Sequence, residues 1–169
     1  MGLDITAYRG LVRIENPAME DGCPVHWEAH FHAHNSSIAF TEENWPGHSE
    51  GIESDAVYAF ADKFGFRAGS YGGYNAWRNQ LAEVMLGKSA CDCWKQDKAG
   101  PFFELIHFAD NEGVIGPKVA AKLAKDFADH EAKATAWAEA NNDEWFIQKY
   151  RDWRKAFEMA AQGGAVDFH

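Results

Sequence analysis

Residues 66–82 read FRAGSYGGYNAWRNQLA, and a change of period inside this stretch decides the fold class. Gly69, Gly72 and Gly73 punctuate it. From Tyr74 onward Trp77, Leu81, Val84 and Met85 recur at spacings of three and four, one face of a helix that Gly87 is placed to end. Further on, residues 88–100 read as a loop and 101–108 (PFFELIHF) as one or two helical turns before the polar Asp110–Gly113. Gly116-Pro117 opens the clearest helix, because proline is tolerated at a first helical position. Its apolar stripe is Val119, Leu123, Phe127, His130 or Ala134, and Trp137. Asn141-Asn142-Asp143 breaks that helix, and Asp143 suits the N-cap of a last one with Phe146, Tyr150, Trp153, Phe157 and Ala160 on one side. Gly163-Gly164 closes it, and the tail AVDFH reads as an edge strand.

Upstream of residue 66 a period of two recurs, partial over 3–14 and strict over 25–34. Residues 3–14 (LDITAYRGLVRI) are rich in β-formers and read as a strand. Residues 25–34 (VHWEAHFHAH) alternate strictly, with Val25, Trp27, Ala29, Phe31 and Ala33 on one face and His26, Glu28, His30, His32 and His34 on the other. This predicts a half-buried strand antiparallel to the first. Residues 36–40 read as an extension of the sheet, 41–55 as a polar loop, and 56–66 as either helix or strand. The order predicts an α+β fold over a single domain, 1–169. Its N-terminal antiparallel β-sheet (1–66, mainly β and loops) packs against C-terminal α-helices (67–169).

The chain has 169 residues, with 16 Lys+Arg against 26 Asp+Glu and a formal charge of −10, so a broad surface for long nucleic acid is not expected. No apolar run approaches the roughly 18 residues of a membrane span, and the start lacks a basic segment followed by an apolar one. A cytoplasmic location without membrane attachment is expected. The three cysteines include Cys91 and Cys93, too close in sequence to suggest a structural disulfide. No cofactor is called for. The 24 aromatic residues (12 Phe, 7 Trp, 5 Tyr) can fill a core or flank a planar ligand.

Four groups could carry chemistry. On the alternating strand, His30 and His32, or His32 and His34, would lie about 7 Å apart on one side and could share a metal ion, with Glu28 adding a carboxylate. Cys91-Asp92-Cys93, with His107, lacks the second cysteine pair of established zinc sites. In residues 66–82 the glycines lead into a helix N-terminus, Arg67 and Arg78 supply cations, Ser70 and Asn75 supply hydrogen bonds, and Tyr71, Tyr74 or Trp77 could stack on a base. The spacing is neither a P-loop nor a dinucleotide fingerprint. His107, Asp110, Asn111 and Glu112 offer acid/base or ligand groups that nothing in their spacing forces together.

The runs MGLDITAY, WPGHSEGIE (45–53), FRAGSYGGYNAWRNQLA, FFELIHFADNEGVIGP leading into VAAKLAKDFA (102–128) and WRKAFEMAAQGGAVDFH (153–169) resemble an uncharacterised family of small proteins encoded by tailed bacteriophages and prophages. The resemblance covers most of the chain and brings no established activity. The chain departs from the family pattern at His48, where the pattern carries arginine, and in its histidine-rich strand. By analogy with small acidic phage proteins, the resemblance implies an anti-defence sponge in the bacterial host cytoplasm that sequesters a nucleotide-derived immune signal, cyclic nucleotides included. Arg67, Ser70, Tyr71, Tyr74, Asn75 and Arg78 would form the pocket, and Trp45 and His48 a lid. A homo-oligomer holding ligand between subunits stays open. The alternatives are a metal-assisted phosphodiester or nucleotide hydrolase, and an acidic inhibitor presenting residues 15–62 to a basic host protein.

Overall fold

The computed structural model describes residues 2–97, 99–108 and 112–169. The first strand, β1 (Leu3–Arg9), is followed by β2 (Val12–Arg13), β3 (Met19–Glu20), β4 (Cys23–Pro24), a 3-10 turn (Trp27–Ala29) and β5 (His30–His32). Helix α1 (Asn35–Asn44) leads to β6 (Val57–Ala59) and β7 (Asp62–Gly69). Then come α2 (Tyr71–Leu86), α3 (Ala90–Gln96), α4 (Phe103–His107), β8 (Gly113–Ile115), α5 (Pro117–Asn141), α6 (Glu144–Ala160) and β9 (Ala165–Phe168). The fold is α+β.

A four-stranded antiparallel sheet in the order β7-β1-β9-β8 forms the frame. In β1, Leu3, Ile5 and Ala7 are buried toward the helices, as period-two alternation requires. The tail is a strand but not an edge: β9 inserts between β1 and β8. Gly164 permits this entry, since a Cβ there would collide with the Tyr8 carbonyl. Helices α2, α5 and α6 cover one face with an aromatic core around Tyr74, Trp77, Phe127, Tyr150, Trp153 and Phe157. The ring centroids of Trp77 and Trp153 lie 5.9 Å apart, and those of Trp153 and Phe157 5.7 Å. Asp143 caps α6, its carboxylate accepting from the Phe146 N–H at 2.9 Å.

The other face carries a smaller core of Phe31, Ala33, Ile38, Tyr58, Val114 and Ala165 beneath a three-stranded sheet, β2-β6-β5. Here several expectations are corrected. The 3–14 strand breaks at Gly10, whose φ of +62° turns the chain. Residues 25–34 are extended only from His30. Phe31 and Ala33 are buried while Val25 and Trp27 are exposed, and the partner strand is β6 rather than β1. Residues 36–40 belong to helix α1, where Ile38 and Thr41 point inward. The ambiguous 56–66 segment resolves into β6 and the start of β7. The loop expected over 88–100 contains α3, capped by Ser89, which accepts from the Asp92 N–H at 3.1 Å.

Candidate functional site

Helix α2 starts at Tyr71, ahead of the Tyr74 from which its apolar period runs, and Ser70 caps it, its Oγ accepting from the Gly73 N–H at 3.0 Å. Beyond the cap, the residues expected to line a pocket are put to another use. Helix α4 has five residues, so most of its C-terminal carbonyls have no partner within the helix. Four side chains reach in to supply donors. Tyr74 Oη donates to the Phe108 carbonyl at 2.6 Å, Trp45 Nε1 to that of His107 at 2.8 Å, and Arg78 Nη1 to that of Ile106. His48 Nε2 lies 3.2 Å from the Glu104 carbonyl.

This geometry removes the lid. Trp45 and His48 are buried, and the Trp45 ring packs on Phe108 with centroids 4.4 Å apart. The turn that carries His48 is clamped by Glu42, whose carboxylate accepts from the Gly47 and Ser49 N–H groups at 2.7 and 2.8 Å. Burial lowers the His48 pKa, so position 48 supplies no standing cation near neutral pH.

The two arginines also separate. Arg67 lies on the outward side of β7, exposed, with Nη1 3.6 Å from Asp4. Arg78 points into the helical side and is only 7% exposed. Ser70 and Asn75 are exposed and Tyr71 is half-buried against the core; of these, Asn75 stays with Arg78, its Oδ1 accepting from Nη2 at 3.1 Å. Arg78 makes no ion pair with a described carboxylate, and its buried Nε has no hydrogen-bond partner there. A guanidinium taken from water without a counter-charge is costly.

What Arg78 borders is a cleft of about 430 Å³ between α2 and α3, lined also by Ala90, Cys91, Trp94 and Lys95. Trp94 is 48% exposed and stacks on the His107 ring, centroids 5.6 Å apart at 24°. The His107 Nε2 is also buried without a hydrogen-bond partner among the described residues, and burial lowers the pKa of the ring. The cleft therefore offers a desolvated cation, a flat aromatic wall and an ammonium at the rim. Trp94 and Lys95 escaped the sequence reading because the helix that presents them was read as loop, although Ser89 with Asp92 three residues later is a helix-start signal.

The remaining groups do not assemble. Cys91 is exposed and Cys93 buried, as positions two apart on a helix must diverge. Asp110 and Asn111 lie outside the described residues. Among the described residues no three His, Cys, Asp or Glu side chains are grouped to hold a metal ion, so the proposed set of His30, His32 and Glu28 is not formed. Glu28 sits on the 3-10 turn instead of the strand that would align it with them. No described helix is long and apolar enough to cross a membrane. In comparisons with known proteins, no family model, no curated protein and no solved structure matches the chain.

Proposed function

We propose that the protein is a binding protein that sequesters a small nucleotide-derived anion in the cleft between α2 and α3, its phosphate on Arg78 and its base on Trp94. The observation that carries this reading is the buried Arg78 guanidinium, which lines the cleft and, among the described residues, has carbonyl acceptors but no carboxylate and no partner for its Nε. Phosphate accepts from the guanidinium fork through charge-assisted bonds, and a base can lie flat on an exposed tryptophan. The volume falls within the roughly 300–1,000 Å³ of small-molecule sites. The resemblance to phage proteins sets the biological reading: the ligand is a nucleotide messenger of host defence, and trapping it needs no catalytic group.

Calorimetry against cyclic and linear nucleotides tests the proposal, together with mass spectrometry of small molecules released by heat. A bound nucleotide should be returned intact. Lys95→Glu and Trp94→Ala should each weaken binding about tenfold or more without unfolding the protein. No nucleotide bound at millimolar concentration and none released would overturn the reading.

A further inference from the structure

The sheet face turned away from the helices holds a second cleft of opposite character. Because Leu3, Ile5 and Ala7 enter the helical core, Thr6 and Tyr8 project to the other side. Their cross-strand partners do the same: Gly65 and Asp167 flank Thr6, and Lys63 lies opposite Tyr8. Over this floor stand Trp27 from the 3-10 turn and His30 from β5. Two lobes of about 490 and 410 Å³ share Tyr8, Trp27, His30 and Asp167.

Three features of this cleft are not explained by packing. The carboxyl of Asp167, a partly buried residue on a central strand, has no hydrogen bond or ion pair among the described residues, and burial pushes its pKa up to about 7. At Gly65 an added Cβ would meet only the Ile5 carbonyl oxygen, at 3.7 Å, so the fold does not require glycine and a side chain would occupy the cleft floor. Trp27 is 68% exposed, yet its turn is held in place by Lys63 Nζ donating to the Glu28 carbonyl at 3.2 Å.

We propose that this cleft binds a planar organic cation of the guanidinium or amidinium type, which pairs with Asp167 and lies flat over the open floor at Gly65 against Trp27. A planar fork of N–H donors matches a carboxylate in two parallel bonds, and its charge is favoured over an aromatic face. The surrounding charges agree with this choice. In one lobe Glu28 adds a second carboxylate and the Lys63 ammonium is turned to the Glu28 carbonyl and the Phe60 ring; His169 lies against Thr6 Oγ1 at 2.9 Å. In the other lobe His32 is held by Asp55 at 3.2 Å, and burial lowers the His34 pKa, so that ring adds no charge near neutral pH. Cys23 lines the same lobe as a free thiol.

The test uses benzamidine and agmatine, titrated by calorimetry at about pH 8 into the intact protein and into Asp167→Asn and Gly65→Val, with circular dichroism to confirm folding. Asparagine keeps the shape of Asp167 without its charge, and valine suits a strand. Saturable binding of at least one probe is expected, weakened about tenfold or more in both variants and unaffected by Lys95→Glu in the other cleft. Absence of saturable binding at millimolar probe, or unchanged affinity in either variant, would overturn the proposal.

Discussion

The two faces of the four-stranded sheet are finished in different ways. On one, three long helices lay aromatic stripes directly on β1 and β9, and the side chains from Tyr74 to Phe168 form a closed core. On the other, two- and three-residue strands and a 3-10 turn cover only part of the surface, leaving Tyr8, Gly65 and Asp167 beside solvent. The difference follows from element length. A helix of 17 residues such as α6 brings four large side chains, Phe146, Tyr150, Trp153 and Phe157, to one face, whereas a three-residue strand such as β5 brings one, Phe31. The Asp167 cleft therefore lies where short elements supply the cover, and α3, with seven residues, is the same case beside Arg78.

The contrast can be tested from its largest effect downward. Trp153→Ala, on the closed face, should destabilise the protein by about 3–5 kcal/mol in chemical denaturation, because the helices cannot collapse into the space. Asp167→Asn, on the open face, should act in the other direction. The folded-state carboxyl is raised above its unfolded value of about 4, so the wild-type protein loses stability as pH rises from there through about 7. The variant should lack that loss and be roughly 2 kcal/mol more stable at about pH 8. A denaturation series across pH in which wild type and variant run parallel would remove the unpaired carboxyl from the comparison.

Smaller effects are expected at the β8 edge, where the faces meet. Tyr74→Phe deletes the donor to the Phe108 carbonyl and should cost about 1–2 kcal/mol, read by thermal unfolding. Glu42→Gln should cost about 1 kcal/mol at neutral pH. Although burial opposes it, the bonds from Ser49 and Gly47 hold the Glu42 pKa below its ordinary value. That stabilisation is present above the unfolded pKa and lost as pH falls through the folded one, so the two proteins should converge in acid. Trp94→Ala, at the rim of its cleft, should change stability by less than about 0.5 kcal/mol, which separates its effect on nucleotide binding from any effect on folding.

Long periodic segments were legible. The α6 stripe, its Asp143 cap, the Gly116-Pro117 start of α5 and the Gly87 stop of α2 follow from residue type and spacing, since each is satisfied within a few residues along the chain. Residues 25–29 depart from the expected strand because alternation says which residues could share a face, not whether a partner strand is there to bury them. The tail was readable as a strand, but its central position depends on Gly164 passing the Tyr8 carbonyl, a contact between distant residues.

The candidate sites divide along the same line. Residue type and spacing alone set the faces of the long helices and of β1 and the Asp143 cap, because these rest on local backbone period and hydrogen bonding. Long-range packing selects which polar side chains keep unused hydrogen-bonding capacity. Trp45, His48 and Tyr74 were taken up by the carbonyls of a helix some thirty to sixty residues away, while Arg78 Nε and the Asp167 carboxyl were left without described partners. Which buried polar group finds a partner depends on what folding brings within about 3 Å of it, and that is a property of long-range packing.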